Sequence, residues 1–137
     1  MRIVLDTNVI ISAFLWGGVP ENILNQAENG LVQIFTCQQQ LDELSDVLGR
    51  NQFRTQLEKI NLTPSEIKNA FIALSSIILV SKIKPVIKAD PDDDIILACA
   101  VESYSEYIIS GDKHILNLKM HNGIEIITPA NFYSLIS

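Results

Sequence analysis

The sequence predicts a three-layer α/β/α sandwich around a mostly parallel central sheet. Short, mainly apolar stretches, typical of strands buried on both faces, occur at 3–5, 31–36, 77–80, 107–110 and 125–127. The stretches between these runs carry helical spacing of apolar residues or helix-capping signals. Because predicted strands and helices alternate along the chain, we expect helices to cover both faces of the sheet.

Most of the predicted helices have a recognisable start or end. We expect them at about 7–15, 20–30, 38–48, 52–60, 63–75 and 90–103, and from 128 onward. The clearest start signal is Thr63-Pro64-Ser65-Glu66, which combines a capping box with a proline in the first turn. No repeat or linker divides the 137 residues, so a single domain over 1–137 is expected.

Composition and charge restrict the class of function. The chain is 47% hydrophobic and 19% charged, as expected for a protein with an ordinary core, and its net charge of −6 argues against nucleic-acid binding by bulk positive charge. No apolar run reaches the roughly 18 residues of a membrane span, and no segment resembles a signal peptide. We therefore expect a cytoplasmic protein without membrane contact. Cys37 and Cys99 lack CxxC spacing and are expected to be reduced and structural.

An acid directly follows the first predicted strand. The apolar run Ile3-Val4-Leu5 stops at Asp6, and Asp6-Thr7-Asn8 leads at once into a predicted helix. Open α/β sheets bind their ligands at the carboxyl edge, where such a residue lies. Asp6 is therefore the first candidate active-site residue. The alternative is that Asp6, Thr7 or Asn8 only caps the helix.

Two further acids fall near the same edge of the predicted sheet. Asp112 follows the fourth predicted strand through Ser110-Gly111, which repeats the topological position of Asp6. The alternative for Asp112 is an aspartate in a turn. Glu43 lies in the helix after the second strand, on the flank of its apolar face, from which it can reach inward. The alternative for Glu43 is an ordinary surface glutamate.

Residues 90–94 contain four acids in five positions. One carboxylate is enough to cap a helix, and Asp90 fits that role. Metal binding explains the excess, because Mg²⁺ and Mn²⁺ prefer hard oxygen ligands. Asp93 shares a helix side with Leu97, which should pack on the sheet, and Asp94 is the alternative ligand.

Taken in order, four segments resemble the PIN-domain ribonuclease family, in particular the toxins of bacterial type II toxin–antitoxin pairs. They are the opening Ile-Val-Leu-Asp-Thr-Asn-Val at 3–9, Leu-Asp-Glu-Leu at 41–44, and the segments 90–100 and 107–116. The resemblance implies a PIN-like fold and a Mg²⁺- or Mn²⁺-dependent endoribonuclease acting on RNA. It also implies a small antitoxin protein as partner and, often, a homodimer. The four acids of the family correspond to Asp6, Glu43, Asp93 and Asp112, with Asp94 as the alternative for the third.

Four converging carboxylates cannot all stay ionised unless cations offset their charge. One or two divalent cations would resolve the repulsion and activate a water for in-line attack on an RNA phosphodiester. Asp6 and Asp93 are expected to be direct ligands, whereas Glu43 and Asp112 would bind a second ion or orient the water. Two polar residues are expected to hold these carboxylates by hydrogen bonds, Asn8 and Ser110.

Two other functions compete with this prediction. One is a Mg²⁺-dependent phosphatase-like enzyme that resembles the haloacid-dehalogenase-like family; that family has a second aspartate two residues after the first, and here that position is Asn8. A non-catalytic RNA- or partner-binding module on the same fold would not need four acids. Two basic stretches, 82–88 and 113–121, can offer phosphate contacts but discriminate poorly between these functions.

Asn variants of the four acids at 90–94 test which side of the predicted helix faces the proposed metal site. Asp93→Asn should lose almost all Mn²⁺-dependent RNA cleavage, because loss of a metal ligand costs orders of magnitude in rate. Asp90→Asn should be mild, since Asn caps a helix about as well as Asp. Asp92 lies about 100° from Asp93 around the helix and is expected to face solvent, so Asp92→Asn should keep substantial activity. Initial rates on a fluorogenic single-stranded RNA measure these effects. An inactive Asp94→Asn beside an active Asp93→Asn would shift the register by one residue, and full activity in all four would refute the metal site.

Overall fold

The computed structural model describes residues 1–81 and 91–137, apart from the side chains of Pro91 and Asp92. Three expectations lie outside these residues: capping by Asp90, a solvent-facing side chain at Asp92, and the basic stretch 82–88.

A six-stranded sheet forms the centre of the described chain. Its strands are β1 (Arg2–Leu5), β2 (Gln33–Cys37), β3 (Ser75–Ile78), β4 (Tyr107–Ile109), β5 (Met120–His121) and β6 (Ile124–Ile127). The strand order is β3-β2-β1-β4-β6-β5, and all neighbours pair in parallel except β5 and β6. The chain moves from β1 to β2 on one side and later returns to β4 on the other. The topological switch point therefore lies between β1 and β4.

Helices cover both faces of this sheet. The described residues form α1 (Thr7–Leu15), α2 (Gly18–Glu28), α3 (Gln38–Leu48), α4 (Arg54–Ile60), α5 (Pro64–Leu74), α6 (Pro91–Glu102), α7 (Lys113–Leu116) and α8 (Pro129–Ile136), with a 3₁₀ helix at Asn51–Phe53. One apolar cluster packs α1 to α5 and α8 against one face, and a second packs α6 and α7 against the other. The predicted three-layer α/β/α sandwich with a mostly parallel sheet is confirmed.

The burial of β1 explains its uninterrupted apolar sequence. Ile3 and Leu5 belong to the cluster on one face and Val4 to the cluster on the other, and each of the three is 0% exposed. Burial of an apolar side chain contributes about 1.5–3 kcal/mol, so a polar residue at any of these positions would be costly. The first polar side chain after Arg2 is Asp6, directly where the strand ends.

The third strand differs from the prediction in its bounds and its burial. A buried strand at 77–80 was expected, but β3 is the edge strand Ser75–Ile78, in which Ile77 is 50% exposed. Helix α5 ends at Leu74 and the next residue, Ser75, already pairs with Ile34 of β2, so the strand starts two residues early. Leu79 lies beyond the strand and is 86% exposed.

The short elements near the end of the chain were also not predicted. Strand β5 has two residues and α7 has four, too few for either periodicity to be recognisable. The longer helices agree better, since α1 and α3 have the expected bounds and α2 begins two residues before Pro20. Within 1–81 and 91–137, no helix is both long and apolar enough to cross a bilayer.

The capping box of α5 is confirmed and gives a stability test. The Thr63 hydroxyl accepts the backbone N–H of Glu66 at 3.2 Å, and the Glu66 carboxylate accepts that of Thr63 at 3.1 Å. Thr63→Ala should lower the free energy of unfolding by about 1 kcal/mol, whereas Thr63→Ser should stay near wild type. Urea denaturation measures both variants, and equal stability of the two would show that the cap contributes little.

Candidate functional site

Three carboxylates meet at the carboxyl edge of the sheet. Asp6 follows β1, Asp112 comes shortly after β4, and Asp93 lies in the first turn of α6. One oxygen from each lies within 4.8 Å of the others. Asp6 is 5% exposed and Asp93 is 3% exposed, whereas Asp112 is half-buried. We call Asp6, Asp93 and Asp112 the three-acid cluster.

Ser110 links two members of the three-acid cluster. Its hydroxyl donates a hydrogen bond to Asp6 Oδ2 at 2.6 Å and accepts the backbone N–H of Asp112 at 3.0 Å. Ser110 is 0% exposed, and its own N–H donates to the Ile127 carbonyl, so it is fixed by the sheet. One hydroxyl thus connects the acid that follows β1 to the acid that follows β4.

Burial dominates the electrostatics of Asp6. Desolvation raises the pKa of Asp6 above its ordinary value of 3.8, and the neighbouring charge of Asp112 adds to the increase. The hydrogen bond from Ser110 and the backbone N–H groups of Thr7 and Asn8 act in the opposite direction and lower this pKa. Asp6 adopts an N-cap backbone conformation, but its side chain makes no capping hydrogen bond of regular geometry, and the N–H groups of Thr7 and Asn8 are the smallest of the influences on its pKa. The competing interpretation of Asp6 as only a helix cap therefore loses support.

Glu43 lies beside the three-acid cluster without being part of it. Its Oε2 accepts a hydrogen bond from the Thr7 hydroxyl at 3.1 Å. Thr7 is 2% exposed and directly follows Asp6, so the contact joins α3 to the start of α1. Glu43 is therefore hydrogen-bonded to the residue that directly follows Asp6 in the chain.

The remaining candidates occupy different positions. Asp94 is also buried, at 6% exposure, but the three-acid cluster contains Asp93, which favours Asp93 as the third acid. Asn8 is exposed, and the hydrogen-bonding role expected for its side chain stays a prediction. Asp112 Oδ1 accepts the backbone N–H of His114 at 2.8 Å and so caps α7. For Asp112 the turn interpretation and the site interpretation are therefore both compatible with the geometry.

Two buried polar residues near the site were missed in the sequence. Gln40, in the first turn of α3, is 1% exposed, and Thr36, in β2, is 0% exposed. Their side chains are hydrogen-bonded to each other at 2.6 Å. Gln40 stands third in a run of glutamines, and such a run at the start of an amphipathic helix gives no signal of burial.

The two cysteines lie in the core, as expected. Cys37 and Cys99 are free and buried in the apolar cluster on the α6 side of the sheet. A hydrogen bond between the thiols is the largest cause that lowers the pKa of Cys37, to about 7, and burial opposes it. Because both side chains are at most 1% exposed, they contribute to packing between β2, which ends at Cys37, and α6, which contains Cys99.

The donor set of the three-acid cluster fits a hard divalent cation. Carboxylate oxygens are the ligands that Mg²⁺ and Mn²⁺ prefer. Three such groups within 4.8 Å carry like charges whose repulsion a cation would offset. Asp6, Asp93 and Asp112 can hold such a cation, with Glu43 connected to the group through Thr7.

The raised pKa of Asp6 predicts how the stability of the metal-free protein depends on pH. The folded state holds the proton of Asp6 more tightly than the unfolded state, so this group destabilises the fold as pH rises from about 4 through the raised pKa. Asp6→Asn should remove this loss and raise Tm by roughly 2–5 °C at pH 7 in EDTA, with little effect near pH 4. Thermal unfolding at several pH values tests this, with exposed Asp46→Asn as the control. A lower Tm for Asp6→Asn at pH 7 would contradict it.

Comparison with known proteins identifies a family model and a similar fold. The family model of the PIN domain matches residues 2–114, a range that contains the three-acid cluster and Glu43. Among solved structures, the chain is similar to VapBC2 from Rickettsia felis bound to a DNA fragment from their promoter, with a TM-score of 0.63 and 15% identity over 93% of this chain and 98% of that chain. At 15% sequence identity, this similarity shows a shared fold and nothing more. No curated protein gives a significant match. Because the family model matches most of the length of this chain, the chain belongs to the PIN domain family.

Proposed function

We propose that this PIN-domain protein is a Mg²⁺- or Mn²⁺-dependent endoribonuclease that cleaves RNA phosphodiester bonds. The observation that carries the proposal is the convergence of Asp6, Asp93 and Asp112 from three separate elements to within 4.8 Å. A helix cap or a turn needs one carboxylate, and neither explains why three meet. The resemblance of the four acidic segments to PIN-domain ribonucleases supports RNA as the substrate.

In the proposed reaction, Asp6, Asp93 and Asp112 would hold a divalent cation, which would supply Lewis-acid stabilisation of phosphoryl charge and activation of water. The carboxylates of Asp6 and Asp93 are both buried, and the Ser110 hydroxyl fixes that of Asp6. Fixed donors lose little freedom on binding, which favours a defined position for the scissile phosphate. We assign Glu43 to orienting the attacking water, because it lies beside the cluster and Thr7 holds one of its oxygens.

Recognition of RNA must be local in this protein. With a net charge of −6, the chain as a whole repels a polyanion. Lys113 and Lys119 are exposed in the basic stretch 113–121, which begins directly after Asp112. We propose that this stretch contacts RNA phosphates next to the three-acid cluster, and that such contacts are sensitive to salt.

We further propose that the protein is a toxin-type nuclease that acts in the cytoplasm, forms a homodimer and is inhibited by a small antitoxin protein. Two observations support this: the sequence resemblance to the toxins of type II pairs, and the similarity of the fold to VapBC2, a structure solved with promoter DNA. An adjacent small gene for a DNA-binding protein, whose product co-purifies with this chain and suppresses cleavage, is the expected finding. A chain that is active in cells without any such partner would point to an RNA-processing nuclease.

Metal-dependent RNA cleavage is the direct test of the proposed function. Purified protein should cleave single-stranded RNA with Mn²⁺ or Mg²⁺, and EDTA should abolish cleavage. Asp6→Asn, Asp93→Asn and Asp112→Asn should each lower the initial rate by orders of magnitude, and Glu43→Gln by a factor of about 100 or more, if it orients the water. Asp46→Asn is the matched control, because the Asp46 carboxylate is exposed on the surface of α3, where it pairs with the exposed Arg50.

Each outcome of this experiment separates the candidate functions. Cleavage that persists in EDTA would refute metal dependence. Hydrolysis of small phosphomonoesters with intact RNA would favour a phosphatase-like enzyme. RNA binding without cleavage, unaffected by the three aspartate variants, would indicate a non-catalytic module.

A further inference from the structure

A buried glutamine joins the strand that delivers Asp6 to the helix that carries Glu43. Gln40 lies three residues before Glu43 in α3 and is 1% exposed. Its Nε2 donates a hydrogen bond to the Leu5 carbonyl at 2.6 Å, and its Oε1 accepts one from the Thr36 hydroxyl at 2.6 Å. One side chain thus connects the carboxyl ends of β1 and β2 to the first turn of α3.

The Leu5 carbonyl lies where regular strand pairing ends. Residues of β1 pair with β2 only as far as Val4 with Phe35, so the next carbonyl has no partner in that ladder. The amide of Gln40 supplies the hydrogen bond instead. A buried carbonyl without any partner would be costly, so this contact is needed for β1 to end where it does.

The same peptide group is held from its other side by β4. The Leu5 carbonyl and the Asp6 N–H belong to one planar unit, and the Asp6 N–H donates to the Ile109 carbonyl at 2.8 Å. The peptide that precedes the Asp6 side chain is therefore fixed by Gln40 on one side and by the sheet on the other.

The orientation of the Gln40 amide is determined by its two partners. The Leu5 carbonyl can only accept, so it must face the NH₂ group, and the amide oxygen is left to accept the Thr36 hydroxyl. Since Gln40, Thr36 and Leu5 are all buried, only this orientation of the Gln40 amide gives both partners a hydrogen bond.

We infer that Gln40 is a positioning residue for the active site: its amide fixes the Leu5–Asp6 peptide relative to the first turn of α3, and so sets where Asp6 stands relative to Glu43. The inference rests on the proposed function for its effect on catalysis, but the positioning itself concerns the metal-free protein as well. Residues that orient the ligands of a metal affect metal affinity or activity without touching substrate.

The experiment compares Gln40→Leu with Gln38→Leu, the same substitution two residues earlier. Gln38 is exposed and donates a hydrogen bond to the exposed Asp42, so it controls for the loss of a glutamine at the start of α3. We expect Gln40→Leu to weaken Mn²⁺ binding, measured by electron paramagnetic resonance, and to lower kcat, each by about 10- to 100-fold, with KM for RNA unchanged. Gln38→Leu should match wild type in all three.

A merely structural role for Gln40 predicts a different result. Gln40→Leu would then melt at a lower temperature but, assayed well below Tm, would bind Mn²⁺ and turn over RNA like Gln38→Leu. That result would overturn the inference. If Gln40→Leu fails to fold, Thr36→Val takes its place, with Thr36→Ser as the control that keeps the hydroxyl. A change in Mn²⁺ affinity in Thr36→Val but not in Thr36→Ser supports the inference. Identical Mn²⁺ affinities of the two variants overturn it.

Crystal structures of the metal-free variants separate this inference from the proposed function. If wild type binds no Mn²⁺ and cleaves no RNA, the proposed function fails, but the position of Asp6 relative to Glu43 can still be compared in wild type and Gln40→Leu. A changed separation of the two carboxylates would support the positioning role. Superimposable carboxylates would overturn it.

Discussion

The parallel pairing of β1 with a strand on each side is the constraint on which the site depends. Strand β1 lies between β2 and β4, and the chain leaves it toward one and later returns to the other. Parallel strands end at the same edge, so the residues that follow β1 and β4 are brought together there. A helix that connects parallel strands begins at that same edge. The first turn of α6, which contains Asp93, and the first turns of α3 therefore lie near the residues that follow β1 and β4.

Convergence of carboxylates opposes folding of the metal-free protein. Desolvation and the charge of Asp112 both raise the pKa of Asp6, which means that the folded state disfavours its ionised form. The Ser110 hydroxyl and the N-terminal N–H groups of α1 offset part of this cost. A cation at the cluster would remove more of it, so binding of the cation and stability of the fold are thermodynamically coupled.

The parts of the site that could be predicted from sequence are those encoded by neighbouring residues. The end of an apolar run at Asp6 and the Ser110-Gly111-Asp112 turn are visible locally, because strand and acid are adjacent in the chain. The register of α6 was harder, since Asp93 and Asp94 are both buried and helical periodicity alone discriminates weakly between them. Gln40 gave no signal at all: the carbonyl that it binds is 35 residues away in sequence, and only the folded chain brings them together. The edge strand β3 was misjudged because an apolar run indicates burial but does not reveal the position of a strand in the sheet.

The two helices that carry acids pack mainly on opposite faces of the sheet, and this explains the different roles proposed for their carboxylates. The apolar residues of α6 belong to one cluster and most of those of α3 to the other, while Asp6 and Asp112 come from the sheet between them. Carboxylates from both layers can meet only at the edge, beyond the last residues of the strands. Asp93 reaches the cluster from the first turn of its helix, whereas Glu43 lies in the second turn of α3 and contacts Thr7. Asp112 is the least buried residue of the three-acid cluster, so the cluster is open to solvent on the side of Asp112. In the proposed reaction the RNA phosphate approaches from this side, where Lys113 is also exposed.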